Sequence, residues 1–168
     1  MHYLTIVLRL LHVVGGAFWF GAAIFMGFFV SPTVATTAEA GQRFMGALVK
    51  NAGITKVIAA VAGLTILAGA GLYWIDSDGF TSDWTRSGAG VVFGIGGFFG
   101  LIGFIFGMLI WKNINAIVKI GLEIQGKPTP EQLGKIQAAQ KQLGIVGPIS
   151  SYSLIIAMIC MSVARYWF

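Results

Sequence analysis

The chain offers few side chains for metal or redox chemistry: two histidines, one cysteine and six methionines in 168 residues. His12 lies inside an apolar run, Leu4–Val30, one helical turn from Arg9. A second apolar run at the other end carries Met158, Cys160 and Met161, four to seven residues before Arg165. At a rise of about 1.5 Å per residue, the two methionines sit roughly 6–10 Å from the level of Arg165. Antiparallel packing would put them near the depth of His12. A histidine and a methionine at matching depth can ligate a haem iron. Arg9, Arg86 and Arg165 would then stand where two propionates need counter-charges, because guanidinium is suited to bidentate carboxylate binding. The same His, Met and Cys set can instead hold copper, since thioether and thiol ligands suit Cu(I). A plainer reading gives His12 a hydrogen bond to a neighbouring helix, the arginines lipid phosphates, and the methionines core gaps to fill.

These residues must be positioned by membrane helices. The chain is 57% hydrophobic and 10% charged, with mean hydropathy +0.83, whereas soluble domains carry about 25% charge. Leu4–Val30 alone is 27 residues with one fixed charge, and a bilayer core needs only about 20. Four spans are expected, at about 4–30, 54–74, 88–111 and 143–167. Ser31-Pro32 should end the first. Thr36-x-x-Glu39 reads as a capping box for a short interfacial helix bearing Phe44, Met45 and Leu48. The third helix should run beyond the membrane through Lys112 to Gln125. After Gly126–Pro130 the fourth starts with Thr129 as cap, Pro130 at its first position and Gln132 closing a capping box. Leu133, Ile136 and Leu143 should face Ile114, Ile117 and Ile124 across an antiparallel hairpin. The expected fold is therefore all-α: one integral-membrane domain over residues 1–168, a polytopic four-helix bundle with a cytoplasmic extension of helices 3 and 4.

Charge position gives a topology. All seven lysines fall in or beside the first and third connections, while Asp76, Asp78 and Asp83 occupy the second. The positive-inside rule makes the lysine-rich side cytoplasmic and places both termini outside, as expected of a multi-pass protein of the bacterial inner membrane. The net charge of +5 is then topological, and nucleic acid is not an expected partner. No carboxylate lies within a span, so the usual relay of a proton-coupled pump is missing. The glycine-rich run Gly94–Gly100 sits inside a membrane helix and not after a strand, which excludes a dinucleotide site. Cys160 is alone and can form neither an internal disulfide nor a CxxC zinc pair.

Gly96, Gly100, Gly103 and Gly107 share one face of the third span, at spacings of four, three and four. Glycine lets backbones approach closely, which drives helix association in lipid. Ala17/Gly21, Ala59/Gly63 and Gly90/Gly94 form further small-residue pairs. The seam serves packing within the bundle, a subunit contact, or a groove for a flat cofactor.

His12 followed by Trp19-Phe20-Gly21 resembles the first helix of small bacterial membrane proteins related to the copper-resistance D family. It is also similar to the four-helix, haem-biosynthetic protoporphyrinogen oxidases, whose first helix carries His and then Trp-Phe at the same offsets. The ending Met161-Ser-Val-Ala-Arg165-Tyr166 resembles the last helix of uncharacterised relatives in that group. The resemblance implies the four-span layout and a b-type haem at the position of His12. Those oxidases also use a lysine near the start of the third helix; here the segment reads Trp84-Thr-Arg86-Ser-Gly88, so their reaction is not carried over. The functional expectation is a membrane protein that binds haem b near the outer leaflet and takes part in electron transfer. Its axial ligands would be His12 and Met158 or Met161. The alternatives are a cofactor-free accessory subunit, joining a larger membrane complex or a homo-oligomer through the glycine seam, and a copper-binding or copper-transport protein.

Overall fold

The computed structural model describes residues 2–124 and 126–167. Five helices follow one another: α1 His2–Thr36, α2 Ala38–Lys50, α3 Ile54–Asp76, α4 Gly88–Glu123 and α5 Pro130–Val163. No strand occurs among the described residues. Four of the helices, all but α2, are long and apolar enough to cross a membrane. Their outward faces agree with that: Leu4, Val7, Leu10, Val13 and Val14 on α1 are each more than half exposed, a surface suited to lipid.

The apolar run ends at Ser31-Pro32, but the helix continues past it to Thr36. The helix passes the proline by widening into a π turn over Met26–Val30, where the Ser31 amide reaches back to the Met26 carbonyl. A proline ring collides with the carbonyl four residues earlier and cannot donate, and a π turn supplies the missing room. The Thr33 hydroxyl donates to the Phe29 carbonyl at 2.7 Å, engaging a further carbonyl of the turn. The expected capping box at Thr36 also fails. Both Thr36 and Thr37 turn their hydroxyls back onto the Thr33 carbonyl, at 3.0 and 2.7 Å, and α2 starts after Thr37 with no side-chain cap. Glu39 pairs with Arg43 at 2.6 Å instead of reaching back. The corner itself needs Gly41: a Cβ there would lie 2.6 Å from the Val34 carbonyl oxygen.

The start of α5 matches its expectation. The Gln132 amide donates to Thr129 Oγ1 at 3.2 Å and the Thr129 amide to Gln132 Oε1 at 2.9 Å, with Pro130 in the first turn. The expected end of the preceding helix, Gln125, lies outside the described residues; α4 is helical to Glu123. Ile114, Ile117, Ile124, Ile136 and Leu143 are half-buried, whereas Leu133 is exposed.

Side-chain registers show that neighbouring long helices run antiparallel. Leu8 meets Gly71, His12 meets Gly69 and Gly15 meets Val61 between α1 and α3. Tyr73 meets Gly94 and Ile66 meets Gly100 between α3 and α4. Met161 meets Gly96, Leu154 meets Gly103 and Ser150 meets Gly107 between α4 and α5. At the centre Trp19, Ala62 and Leu154 form a buried cluster, with Phe104 edge-on to Trp19 at 6.3 Å. The α3–α4 connection is closed by aromatic rings, Tyr73 to Trp84 at 5.2 Å and Trp74 to Phe80 at 5.3 Å, over a fully buried Ser77.

Candidate functional site around His12

His12 is held by α3. Its Nδ1 lies 2.9 Å from the Thr65 carbonyl oxygen. A carbonyl only accepts, so Nδ1 is the donor and the neutral ring carries its lone pair on Nε2. This is the arrangement that orients a ligating histidine, with one ring nitrogen tethered to the backbone and the other free to bind. Gly69 makes the approach possible, because a Cβ there would lie 2.6 Å from His12 Cε1 and 2.7 Å from Nδ1. Thr65 is buried and its hydroxyl donates to the Val61 carbonyl at 2.8 Å. Its side chain fills the notch left by Gly15 and Gly16 on α1. Two small-residue notches thus interlock, one on each helix, with the imidazole seated in one of them.

Sequence reasoning found His12 and missed its setting. Of the small pairs singled out on these helices, Gly21 and Gly63 have nothing within 4 Å of a Cβ position. The contact uses Gly15, Gly16 and Gly69 instead. The available signal was Thr65-x-x-x-Gly69, a small-residue pair at helical spacing on the face that carries the buried Ala62.

The other candidate ligands are positioned by a different helix. Met161 Cε and Cys160 Cβ lie 3.1 and 3.0 Å from the Cβ position of Gly96 on α4. Met158 is half-buried on α5. The contacts that fix His12 come from α3 and those that fix Met161 come from α4. Arg9, Arg86 and Arg165 are exposed on α1, on the turn before α4 and at the end of α5. The ion pairs among the described residues are Arg43–Glu39 and Lys135–Glu131, so no carboxylate of the described residues pairs with these three guanidiniums. No group of three or more His, Cys, Asp or Glu gathers among the described residues.

The glycine seam is occupied from within the chain. Gly96, Gly100 and Gly103 are buried and Gly107 is half-buried. Gly96 takes Cys160 and Met161, Gly103 takes Leu154, and Ile66 of α3 lies over Gly100. Ser150 Oγ donates across to the Gly103 carbonyl at 2.9 Å. Packing within the chain, one of the uses expected of the seam, therefore lines Gly96, Gly100 and Gly103 with side chains of α3 and α5. The reason is the antiparallel hairpin, which lays α5 along the glycines of α4.

Comparison with protein-family models, with curated proteins and with solved structures finds no match to this chain.

Proposed function

We propose that the chain is a four-helix bundle of the bacterial inner membrane, with both termini outside and the α4–α5 hairpin extending into the cytoplasm. In this reading it binds one b-type haem through His12 near the outer leaflet and passes electrons within the membrane. The observation that carries the reading is the His12–Thr65 hydrogen bond, which orients the ring by Nδ1 and leaves Nε2 as the nitrogen available to a ligand. His12 would be a residue that holds the haem iron on that chemistry. Met161 fits the second position less well, because Gly96 already holds it, and Met158 is the better partner. Arg9 and Arg165 belong to the outer end and would pair with propionates there. When bound, the haem supplies one-electron transfer at its iron; the chain's residues hold and orient it and exclude water.

The test is a reduced-minus-oxidised absorption spectrum of the natively expressed, detergent-solubilised protein and of His12→Ala. Sharp α and Soret bands that vanish in a folded His12→Ala protein support the reading. Bands unchanged in that variant refute the ligand assignment. A second reading, a cofactor-free accessory subunit, is favoured by Met161 and Cys160 being spent on α4 packing. It predicts a flat spectrum from a well-folded sample and a co-purifying membrane partner. Copper binding, the third, predicts one copper per chain by metal analysis with no haem bands.

A further inference from the structure

The corner between α1 and α2 carries a surface that the His12 site does not use. Phe25 and Phe29 stack at 6.0 Å between ring centres. With Val34, Ala40, Gly41 and Phe44 they wall a groove of about 450 Å³, within the size range of ligand sites. Phe25, Phe29 and Phe44 are 59, 62 and 55% exposed, so the groove is open along its length. Its wall contains two hydroxyls, and both are already engaged: Thr33 donates to the Phe29 carbonyl and Thr37 to the Thr33 carbonyl. A polar occupant would lose its hydration here without compensation, whereas an aliphatic chain would not.

Charge lies beside this apolar wall. Arg43 and Lys50 are seven residues apart on α2, two turns, and so form one stripe next to Phe44. Lys56 follows at the start of α3, and all three are exposed. The one acidic residue of the segment, Glu39, is paired with Arg43, and three basic groups against one leave the corner net positive. An apolar groove beside a basic stripe, at the point where a membrane helix turns back, matches a molecule with an aliphatic tail and an anionic head. We propose that this corner is a binding site for an anionic phospholipid, one acyl chain in the groove and the headgroup phosphate at Arg43 and Lys50. Gly41 builds the site, because any Cβ there would push α2 off the Val34 backbone and open the corner.

The test uses the full chain in phosphatidylcholine bilayers with a trace of spin-labelled phosphatidylglycerol or spin-labelled phosphatidylcholine. Electron paramagnetic resonance then reads the motionally restricted fraction of each label. A basic side chain near an anionic lipid surface contributes roughly a five-fold preference. The wild type should therefore favour phosphatidylglycerol by about 5-fold or more. Arg43→Gln with Lys50→Gln should bring the ratio close to one, and Arg43→Lys with Lys50→Arg should keep it. Lys127→Gln with Lys141→Gln, on the hairpin, should leave it unchanged. Ala40→Trp, which fills the groove, should remove the selective component by a route independent of charge. Equal restriction of both lipids in the wild type overturns the proposal, as does a preference that survives the Arg43/Lys50 double variant. A second copy in the groove would instead appear as a dimer that Ala40→Trp dissociates with the lipid ratio unmoved, and that result also overturns it.

Discussion

Gly69→Ala is the sharpest probe of the His12 setting. The added methyl would start 2.6 Å from His12 Cε1 and 2.7 Å from Nδ1, well inside van der Waals contact. Both atoms belong to a ring whose Nδ1 is bonded to the helix that carries the methyl, so the ring must swing away and give up that bond. Overpacking costs about 1–3 kcal/mol, and an interhelical hydrogen bond in lipid is worth about 0.6 kcal/mol. The combined effect is about 2 kcal/mol, or a fall in melting temperature of about 4–8 °C for a chain of this size. Thermal melts in detergent, followed by circular dichroism, measure it against Gly63→Ala, where no atom lies within 4 Å of the new methyl. The control should be within about 0.5 kcal/mol of the wild type. A double-mutant cycle isolates the contact: in a His12→Ala background the ring is gone and Gly69→Ala should cost close to nothing. The reasoning is refuted if Gly69→Ala melts with Gly63→Ala, or if its cost is the same with and without the imidazole. In the haem reading the same substitution also shifts the α band or lowers haem content, while Gly63→Ala leaves the spectrum alone.

Gly90→Ala should be the most damaging glycine substitution on α4, because its methyl would enter the Trp84 carbonyl, backbone that cannot rotate away; a loss of 3 kcal/mol or more is expected from chemical denaturation. Gly100→Ala, with only Ile66 Cδ1 at 3.8 Å, should be tolerated within about 0.5 kcal/mol and should not change the oligomeric state measured by light scattering. Ser150→Ala removes the hydrogen bond to the Gly103 carbonyl and should lower stability by about 0.6 kcal/mol in the same denaturation assay. At the start of α5, the hydrogen bond and charge of Lys135 hold the Glu131 carboxyl below the usual carboxylate range, and Glu131 raises Lys135 in return. The carboxyl's contribution is present above the ordinary carboxylate pKa and is lost as pH falls through its lowered value; the lysine's is lost only above its ordinary alkaline range. Amide exchange in the first turn of α5 should therefore be faster in Glu131→Gln than in the wild type at pH 7, and indistinguishable at pH 2.

Hydropathy and punctuation alone determine much of this protein. Four runs of apolar residues can bury themselves only as helices in lipid, because every backbone group must be satisfied within its own segment. Thr129-Pro130-x-Gln132 writes its helix start locally, through bonds within one turn, so the sequence marks it to the residue. Pro32 shows where local reading ends: a proline stops a helix in water, but the π turn and the Thr33 hydroxyl carry α1 past it. Glycine spacing located a packing face on α4, since period alone puts four residues in line. Which helix fills that face was decided by the tertiary structure, through the antiparallel hairpin that sets Leu154 and Met161 on it. The same holds for His12. Its type and depth are visible in the sequence, but its partner is a backbone carbonyl, and every residue has one. Only the register of α1 on α3, set by notches at Gly15, Gly16 and Gly69, selects Thr65 and with it the nitrogen left free to bind.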